Sequence, residues 1–284
     1  MRLLMIISRK KGLNPGRKND LTSDIFSKNH SKSQSWRIQM EKYSAEKYIR
    51  QIMLFGEEGQ EKLRRAKVLV VGTGGLGSPI STYLAAAGVG ELIIADFDKV
   101  DLSNLNRQYL HHEKDIGRDK LISAKEKLLS LNPEIKVKTV KEKITDENAS
   151  TIIPPCDLII DALDNFDTRH VLNKLAVERK VPLIHGAVSG YRGQATTVIL
   201  GKTPCLYCIF PSTFKKEVFP VLGTTPGVIG AIQANEAIKY ITGQGKLLEN
   251  RLLLWDGLSC SFSELNVKKT ENCPVCGIKN CPVC

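Results

Sequence analysis

The hydrophobic pattern becomes regular from about residue 41. Glu41 to Arg65 is charged, with Tyr48, Ile52, Leu54, Phe55 and Leu63 at helical spacing, which predicts helix over most of the stretch. Lys67-Val-Leu-Val-Val71 is a continuous apolar run rich in β-branched residues, as expected for a strand buried on both faces. Small and apolar residues over Ser78–Ala87 predict a packed helix closed by Gly88. A second strand is expected at Glu91–Ala95. An amphipathic helix over Lys120–Leu131 should stop at Asn132-Pro133, ahead of a strand at Ile135–Val140. Leu158–Ile160, a helix over Thr168–Lys180 and a strand at Pro182–His185 continue the alternation. Such alternation predicts an α/β fold: a mostly parallel sheet, right-handed crossovers and helices on both faces. After Gly193 the texture changes. Gln194–Leu200, Arg251–Trp255 and Ser261–Val267 read as strands around one helix, Val228–Ile241, so antiparallel strands should extend the same sheet.

Composition changes this picture in one place. The 284 residues are 42% hydrophobic and 25% charged, an ordinary globular composition that excludes a disordered or collagen-like chain. No apolar run approaches the roughly 18 residues that span a bilayer, so no membrane association is expected. The net charge of +11 suggests nucleic acid at first sight, but residues 1–40 hold nine Lys/Arg against two acids, which is +7 of it. That stretch is Ser- and Asn-rich and aperiodic, and reads as a disordered basic tail. Its composition fits a transit peptide, and it fits equally a segment upstream of a true start at Met40. Residues 41–284 are then expected to form one domain, with no nucleic-acid patch.

Gly72-Thr-Gly74-Gly75-Leu-Gly77 lies between the first strand and a helix, and Asp96 follows 19 residues after Gly77 at the end of the next strand. Glycines allow a tight turn and close backbone approach to a phosphate, the helix start offers free N–H groups, and Asp96 suits ribose hydroxyls. A bland tight turn would not need all three, so a nucleotide site on a Rossmann-like sheet is expected. The next exit, Asp96-Phe-Asp98 through Asn104, Arg107 and Gln108, is either a solvated loop or a set of phosphate ligands. Lys120 sits at a helix start, where the dipole disfavours a cation, so it is either surface noise or turned to an anion. Asp164, in Asp161-Ala-Leu-Asp164-Asn165, suits magnesium; Asp at a strand end is also a common helix N-cap.

Six of the eight cysteines fall in C-x-x-C pairs. Cys205/Cys208 and Cys273/Cys276 together supply four thiolates, the number for a closed, structural zinc site. With no secretory signal, metal is favoured over disulfides. Cys281/Cys284 is a spare pair or a competing one. Cys156 and Cys260 flank strand runs and are expected to be buried, inert thiols.

Taken in order, Tyr48-Ile-Arg50-Gln51, Gly72–Gly77, Gly88-Val-Gly90, Asp96-Phe-Asp98, Ser103-Asn104-Leu-Asn-Arg107-Gln108, Lys120, Asp164-Asn165 and the two cysteine pairs resemble the ubiquitin-activating-type family (the ThiF, MoeB and HesA group) over about residues 41–277. The resemblance implies a sulfur-carrier protein adenylyltransferase that activates the C-terminal Gly-Gly carboxylate of a small ubiquitin-like protein of the molybdopterin or thiamin-thiazole pathway. By it, Asp96 and Asp98 face the ribose side of ATP, and Asn104, Arg107, Gln108 and Lys120 face the phosphates. It also makes Asp164 the magnesium-linked acid, and Arg50 a finger reaching the site of a partner subunit in a homodimer. The four cysteines match the family's zinc ligands. A cytoplasmic enzyme is expected, served by a separate sulfur donor.

Pro211–Pro226, with Phe214, Phe219 and Gly223, is expected to cross over the channel for the carrier tail. It contains no cysteine, and Thr224 and Thr225 are poor nucleophiles near neutral pH, so no covalent carrier adduct is expected there. A tRNA threonylcarbamoyladenosine dehydratase-like enzyme also adenylates a carboxylate, but the zinc-type pairs argue against it. An NAD-dependent oxidoreductase would share the glycines and Asp96 yet leave Arg50, Lys120 and Asp164 without a purpose. A non-catalytic zinc scaffold would leave the whole ATP constellation unexplained.

Overall fold

The computed structural model describes residues 45–212 and 220–277. The basic stretch 1–40, the Cys281/Cys284 pair and residues 213–219 of the expected crossover segment lie outside the described residues. By its internal contacts the chain divides after Glu46, and every element below lies in the second unit, Lys47–Cys284, apart from the first two residues of α1.

In chain order the elements are α1 (Ala45–Arg65), β1 (Lys67–Val71), α2 (Gly77–Ala87), β2 (Glu91–Ala95), α3 (Lys120–Leu131), β3 (Lys136–Val140), α4 (Ala149–Ile152), β4 (Leu158–Asp161) and α5 (Phe166–Arg179). There follow β5 (Leu183–Ser189), β6 (Arg192–Val198), α6 (Leu206–Ile209), α7 (Thr224–Thr242), β7 (Arg251–Asp256) and β8 (Ser261–Asn266). The strands form one sheet in the order β3-β2-β1-β4-β5-β6-β7-β8. Pairing is parallel from β3 to β5 and antiparallel from β5 to β8, so the expected antiparallel extension is present.

Period-two alternation sends successive β1 side chains to opposite faces. Val68 and Val70 pack beneath α2, α3 and α7 with Leu92, Ile94, Leu158 and Ile160. Leu69 and Val71 pack on the other face with Ile93, Ile159, Leu172 and Leu175 from α5. Burial on both faces explains why these strands read as unbroken apolar runs.

The chain leaves β1 towards β2 and β3 on one side, then returns to β4 on the other. The strand order therefore reverses between β1 and β4, and open α/β sheets take ligands in the crevice at such a reversal, beyond the carboxyl ends of the strands.

Two boundaries and one burial expectation are corrected. α7 begins at Thr224, so Thr224, Thr225 and Pro226 belong to a helix and not to the crossover segment. Proline is tolerated in a first turn because its missing N–H has no intrahelical acceptor there. β5 and β6 form a hairpin through Gly190-Tyr191, with Ser189 opposite Arg192, so the antiparallel part begins before the change of texture at Gly193. Cys260 is exposed and not buried, because it sits in the β7–β8 turn at φ 51. Cys156 is half-buried, and burial pushes its thiol up to about 11, which fits an inert group.

Asn132 does more than end α3. It is fully buried, donates to Tyr48 Oη (2.8 Å) and Ala85 O (2.7 Å), and accepts from Lys47 Nζ (2.9 Å), tying α1, α2 and α3 together. Asn132→Ala removes all three bonds, while Tyr48 and Lys47 keep Glu134 and Ala85 O keeps Gly88 N, and each lost hydrogen bond costs about 0.5–1.5 kcal/mol. A loss of that size in urea unfolding is expected, with the m-value unchanged.

Candidate functional site

The turn after β1 is shaped by two glycines. Gly72 has φ 102, a region L side chains rarely adopt, and a Cβ on Gly77 would stand 1.9 Å from the Gly72 carbonyl oxygen. A Cβ on Gly72 would also lie 2.6 Å from Ala162 O, in the segment leaving β4, so the turn is packed directly against that exit. No side chain caps the start of α2, which leaves the positive end of its dipole facing the crevice. Gly74 and Gly75 complete the rim: Gln108 Nε2 lies 3.5 Å from a Gly74 Cβ position, and Pro226 of α7 lies 3.3 Å from that of Gly75.

Asp96 closes the turn from the end of β2. Its Oδ2 accepts from Thr73 N (2.8 Å) and Thr73 Oγ1 (2.7 Å), and its Oδ1 accepts from Asp98 N (3.0 Å). Lys120 is buried and turned to an anion, with Nζ 2.9 Å from Asp98 Oδ2. Its side chain is 7% exposed against 52% for Asp98, so Lys120 is not a surface residue, and the anion it meets is the chain's own Asp98.

Asn104 accepts from Asp101 N (3.1 Å) in a capped 3₁₀ turn over Leu102–Asn104 that shapes the loop. Arg107 is held over the same turn by Ser103 O (2.8 Å) and Asn106 Oδ1 (2.9 Å). No carboxylate pairs with its guanidinium among the described residues. Gln108 is buried, and its Oε1 has no hydrogen-bond partner among the described residues.

Asp164 is exposed at the exit of β4, and Asn165 Nδ2 donates to its Oδ1 (3.3 Å). The helix N-cap is Asn165, whose oxygen accepts from Thr168 N (3.0 Å), so Asp164 is not consumed as a cap. Arg50 stands apart, exposed on α1. Its motif neighbours are structural: Gln51 Nε2 donates to Ala87 O (2.8 Å) at the end of α2, and Tyr48 is buried against Gly88.

Buried polar residues not singled out from the sequence hold this rim. Asp161 ends β4 fully buried, salt-bridged to Arg169 (Nε to Oδ2, 3.1 Å) and hydrogen-bonded to His185 Nδ1 (2.7 Å). Burial alone would raise the Asp161 pKa, but Arg169 and His185 hold it below the usual carboxylate range. Leu163 N donates to Asp161 Oδ1 (3.0 Å), so this network fixes the segment leading to Asp164. On the other side, His111 bridges Thr73 O (Nε2, 3.1 Å) and Ser123 Oγ (Nδ1, 2.9 Å). The partners lie 24 and 38 residues apart in sequence, and no short motif marks them.

Cys205, Cys208, Cys273 and Cys276 converge with their sulfurs within 4.8 Å of one another. Pairs lie 3.9, 3.6 and 3.5 Å apart. A tetrahedron with metal–sulfur bonds of about 2.3 Å has edges of about 3.8 Å, so four thiolates here fit one metal ion. α6 and the strand-free segment before Cys273 bring the pairs together on the face of the sheet opposite α2.

The ThiF family model matches residues 48–275. A sulfur carrier protein adenylyltransferase of Thermus thermophilus is 42% identical over 249 residues, covering 83% of this chain and 92% of that protein. The SAMP-activating enzyme E1 of Haloferax volcanii is 40% identical, covering 82% and 88%. The adenylyltransferase and sulfurtransferase MOCS3 of Culex quinquefasciatus is 45% identical, and the chain spans only 55% of its length. Among solved structures, E. coli MccB with ATP is 28% identical with a TM-score of 0.73, covering 81% of this chain and 73% of that one.

Burial pushes His111 from 6.5 down to about 4, so the folded chain keeps the ring neutral where the unfolded chain protonates it. The unfolded state then binds more protons between those values, and stability falls as pH drops through that window. The shift corresponds to roughly 3 kcal/mol. His111→Gln should flatten the pH dependence of urea unfolding between about pH 6.5 and 4; an unchanged slope would refute the assignment.

Proposed function

Because the chain belongs to the ThiF family, we propose that it uses ATP to adenylylate the C-terminal Gly-Gly carboxylate of a small ubiquitin-like sulfur-carrier protein. The observation that carries this reading is the gathering of the uncapped α2 start, Asp96, Arg107, Lys120 and the Asp164 segment around one crevice. Its relatives named as adenylyltransferases support the reaction class.

In the reaction a carrier carboxylate oxygen attacks the α-phosphorus of ATP. The bond to the β-phosphate oxygen breaks, pyrophosphate departs with that electron pair, and an acyl-adenylate remains. The nucleophile is already anionic near neutral pH, so no general base is needed. What the chain supplies is position and countercharge. Asp96 takes the ribose hydroxyls, with Asp98 beside it. The backbone of Gly72, Gly74, Gly75 and Gly77 admits the phosphates at the α2 start, and Asn104, Arg107, Gln108 and Lys120 line their path. Asp164, with an exposed carboxylate, is assigned to Mg²⁺, which would neutralise charge on the departing pyrophosphate.

Arg50 is assigned to the neighbouring site of a homodimer. The exposed Met53 (58%) and Leu54 (81%) beside it supply apolar surface for a second copy to cover. Cys205, Cys208, Cys273 and Cys276 are assigned to structural Zn²⁺, and reduced thiolates with ATP as substrate fit a cytoplasmic enzyme. With no cysteine in the crossover segment, a separate sulfur donor acts on the adenylate.

ATP–pyrophosphate exchange with a panel of Gly-Gly-terminated carriers tests the reading and identifies the molybdopterin or thiamin pathway; no exchange with any carrier would refute it. Asp164→Ala should lower kcat about 100-fold or more while nucleotide binding persists. Mixing inactive Arg50→Ala and Asp164→Ala chains should restore hybrid sites if Arg50 acts across the dimer. Metal analysis should find one zinc per chain, insensitive to replacement of Cys281 and Cys284. Chelation should lower the melting temperature rather than remove chemistry selectively.

A further inference from the structure

We propose that His111 is a positioning residue for the Asp96 carboxylate, held in a single tautomer by a buried chain running from Asp115 through Lys127 and Ser123 to the glycine turn. The inference rests on the adenylylation reading, in which Asp96 is the ribose ligand.

The tautomer follows from the end of the chain. A carbonyl oxygen only accepts, so the His111 Nε2 that lies 3.1 Å from Thr73 O carries a hydrogen. Burial keeps the ring neutral near pH 7, so that hydrogen is its only one. Nδ1 is therefore a bare acceptor, and Ser123 Oγ, 2.9 Å away, is the donor. Asp115 competes for the same hydroxyl hydrogen. It already accepts from Lys127 Nζ, from Arg118 (2.8 Å) and from His112 N (2.9 Å). Lys127 Nζ also donates to Ser123 Oγ at 2.7 Å, occupying a lone pair and turning the hydroxyl hydrogen towards the ring.

Every hydrogen thus runs one way, from Lys127 to Ser123, to His111, to Thr73. Four of its five members are shut away from water: Thr73, Asp115 and Ser123 are 0% exposed and His111 is 2% exposed, while the Lys127 side chain is half-buried. Its last member acts on the ligand side. Thr73, fixed by its carbonyl, presents both its N–H and its hydroxyl to Asp96 Oδ2, so ribose is left the second lone pair of Oδ1, whose first accepts from Asp98 N. A ring with its hydrogen on Nδ1 would instead set the Nε2 lone pair against the Thr73 carbonyl. The Thr73–Gly74 peptide would turn, and through the backbone dihedrals of Thr73 the N–H and hydroxyl that hold Asp96 would shift with it.

Ser123→Ala removes the donor to Nδ1 and leaves the Thr73 carbonyl as the remaining hold on the tautomer, so the Nδ1–H form gains population, while Ser123→Thr keeps the hydroxyl. Two readouts on the full chain test the proposal: ¹⁵N chemical shifts of the His111 ring without nucleotide, and equilibrium binding of ATP against 2′-deoxy-ATP and 3′-deoxy-ATP. The wild type should show Nε2–H alone, and S123A a mixture. The preference of the wild type for ATP over its deoxy analogues should fall about tenfold in S123A, as a hydrogen bond to a charged group is misaligned, and return in S123T. An Nδ1–H ring in the wild type overturns the proposal even if S123A fails to fold. So does an S123A chain that melts lower yet discriminates unchanged, because that marks a merely structural role. A wild-type chain with an Nε2–H ring that binds no ATP would instead sink the adenylylation reading and leave the chain of hydrogens standing.

Discussion

The contact on which the site depends is backbone against backbone: the Gly72–Gly77 turn lies directly on the segment leaving β4. Gly77 approaches the Gly72 carbonyl so closely that no Cβ fits, and Gly72 does the same to Ala162. This packing brings the start of α2 to the reversal point of the sheet and sets the Asp164 segment beside it. Side chains could not hold so short a distance; only their absence permits it. The chemistry of the crevice is therefore written on a scaffold that is rigid before any ligand arrives, which is what electrostatic catalysis needs.

Around that contact the protein buries charge instead of avoiding it. Asp161 on one side, with Arg169 and His185, and Asp115 on the other, with Lys127 and Arg118, are fully enclosed carboxylates with complete sets of donors. Buried ion pairs are poor sources of net stability, because desolvation offsets attraction. Their value here is directional. The first fixes the Ala162–Asp164 segment in one orientation, and the second meets the glycine turn only through Lys127, Ser123 and His111.

Much of this was legible in the sequence, for identifiable reasons. β1 and β2 match their expected bounds because both are buried on both faces and are flanked by glycine or charged residues. The glycine turn, Asp96 and the cysteine pairs carry short motifs, since each works through neighbours in the chain. Lys120 is ambiguous in sequence because its partner, Asp98, is 22 residues away. Cys260 misleads because a turn inside a hairpin resembles the margin of a buried strand when only local polarity is read. α7 starts early because Pro226, which ordinarily marks a loop, is at home in a first turn. His111, Arg169 and His185 leave no local trace at all, for their bonds join segments that only the fold makes adjacent.

α2 joins two jobs end to end. Gln51 and Gln60 both grip the Ala87 carbonyl at its far end, Asn132 holds Ala85, and the near end opens on the crevice. Its 11 residues make a strut about 16 Å long, eight of them buried and only Tyr83 and Ala86 exposed. Arg50 and the exposed Met53 and Leu54 belong to the same helix as Gln51. Any load applied to that outer surface is therefore mechanically in series with the glycine turn at the other end of α2. A helix that cannot bend aside will deliver it as a displacement along its own axis.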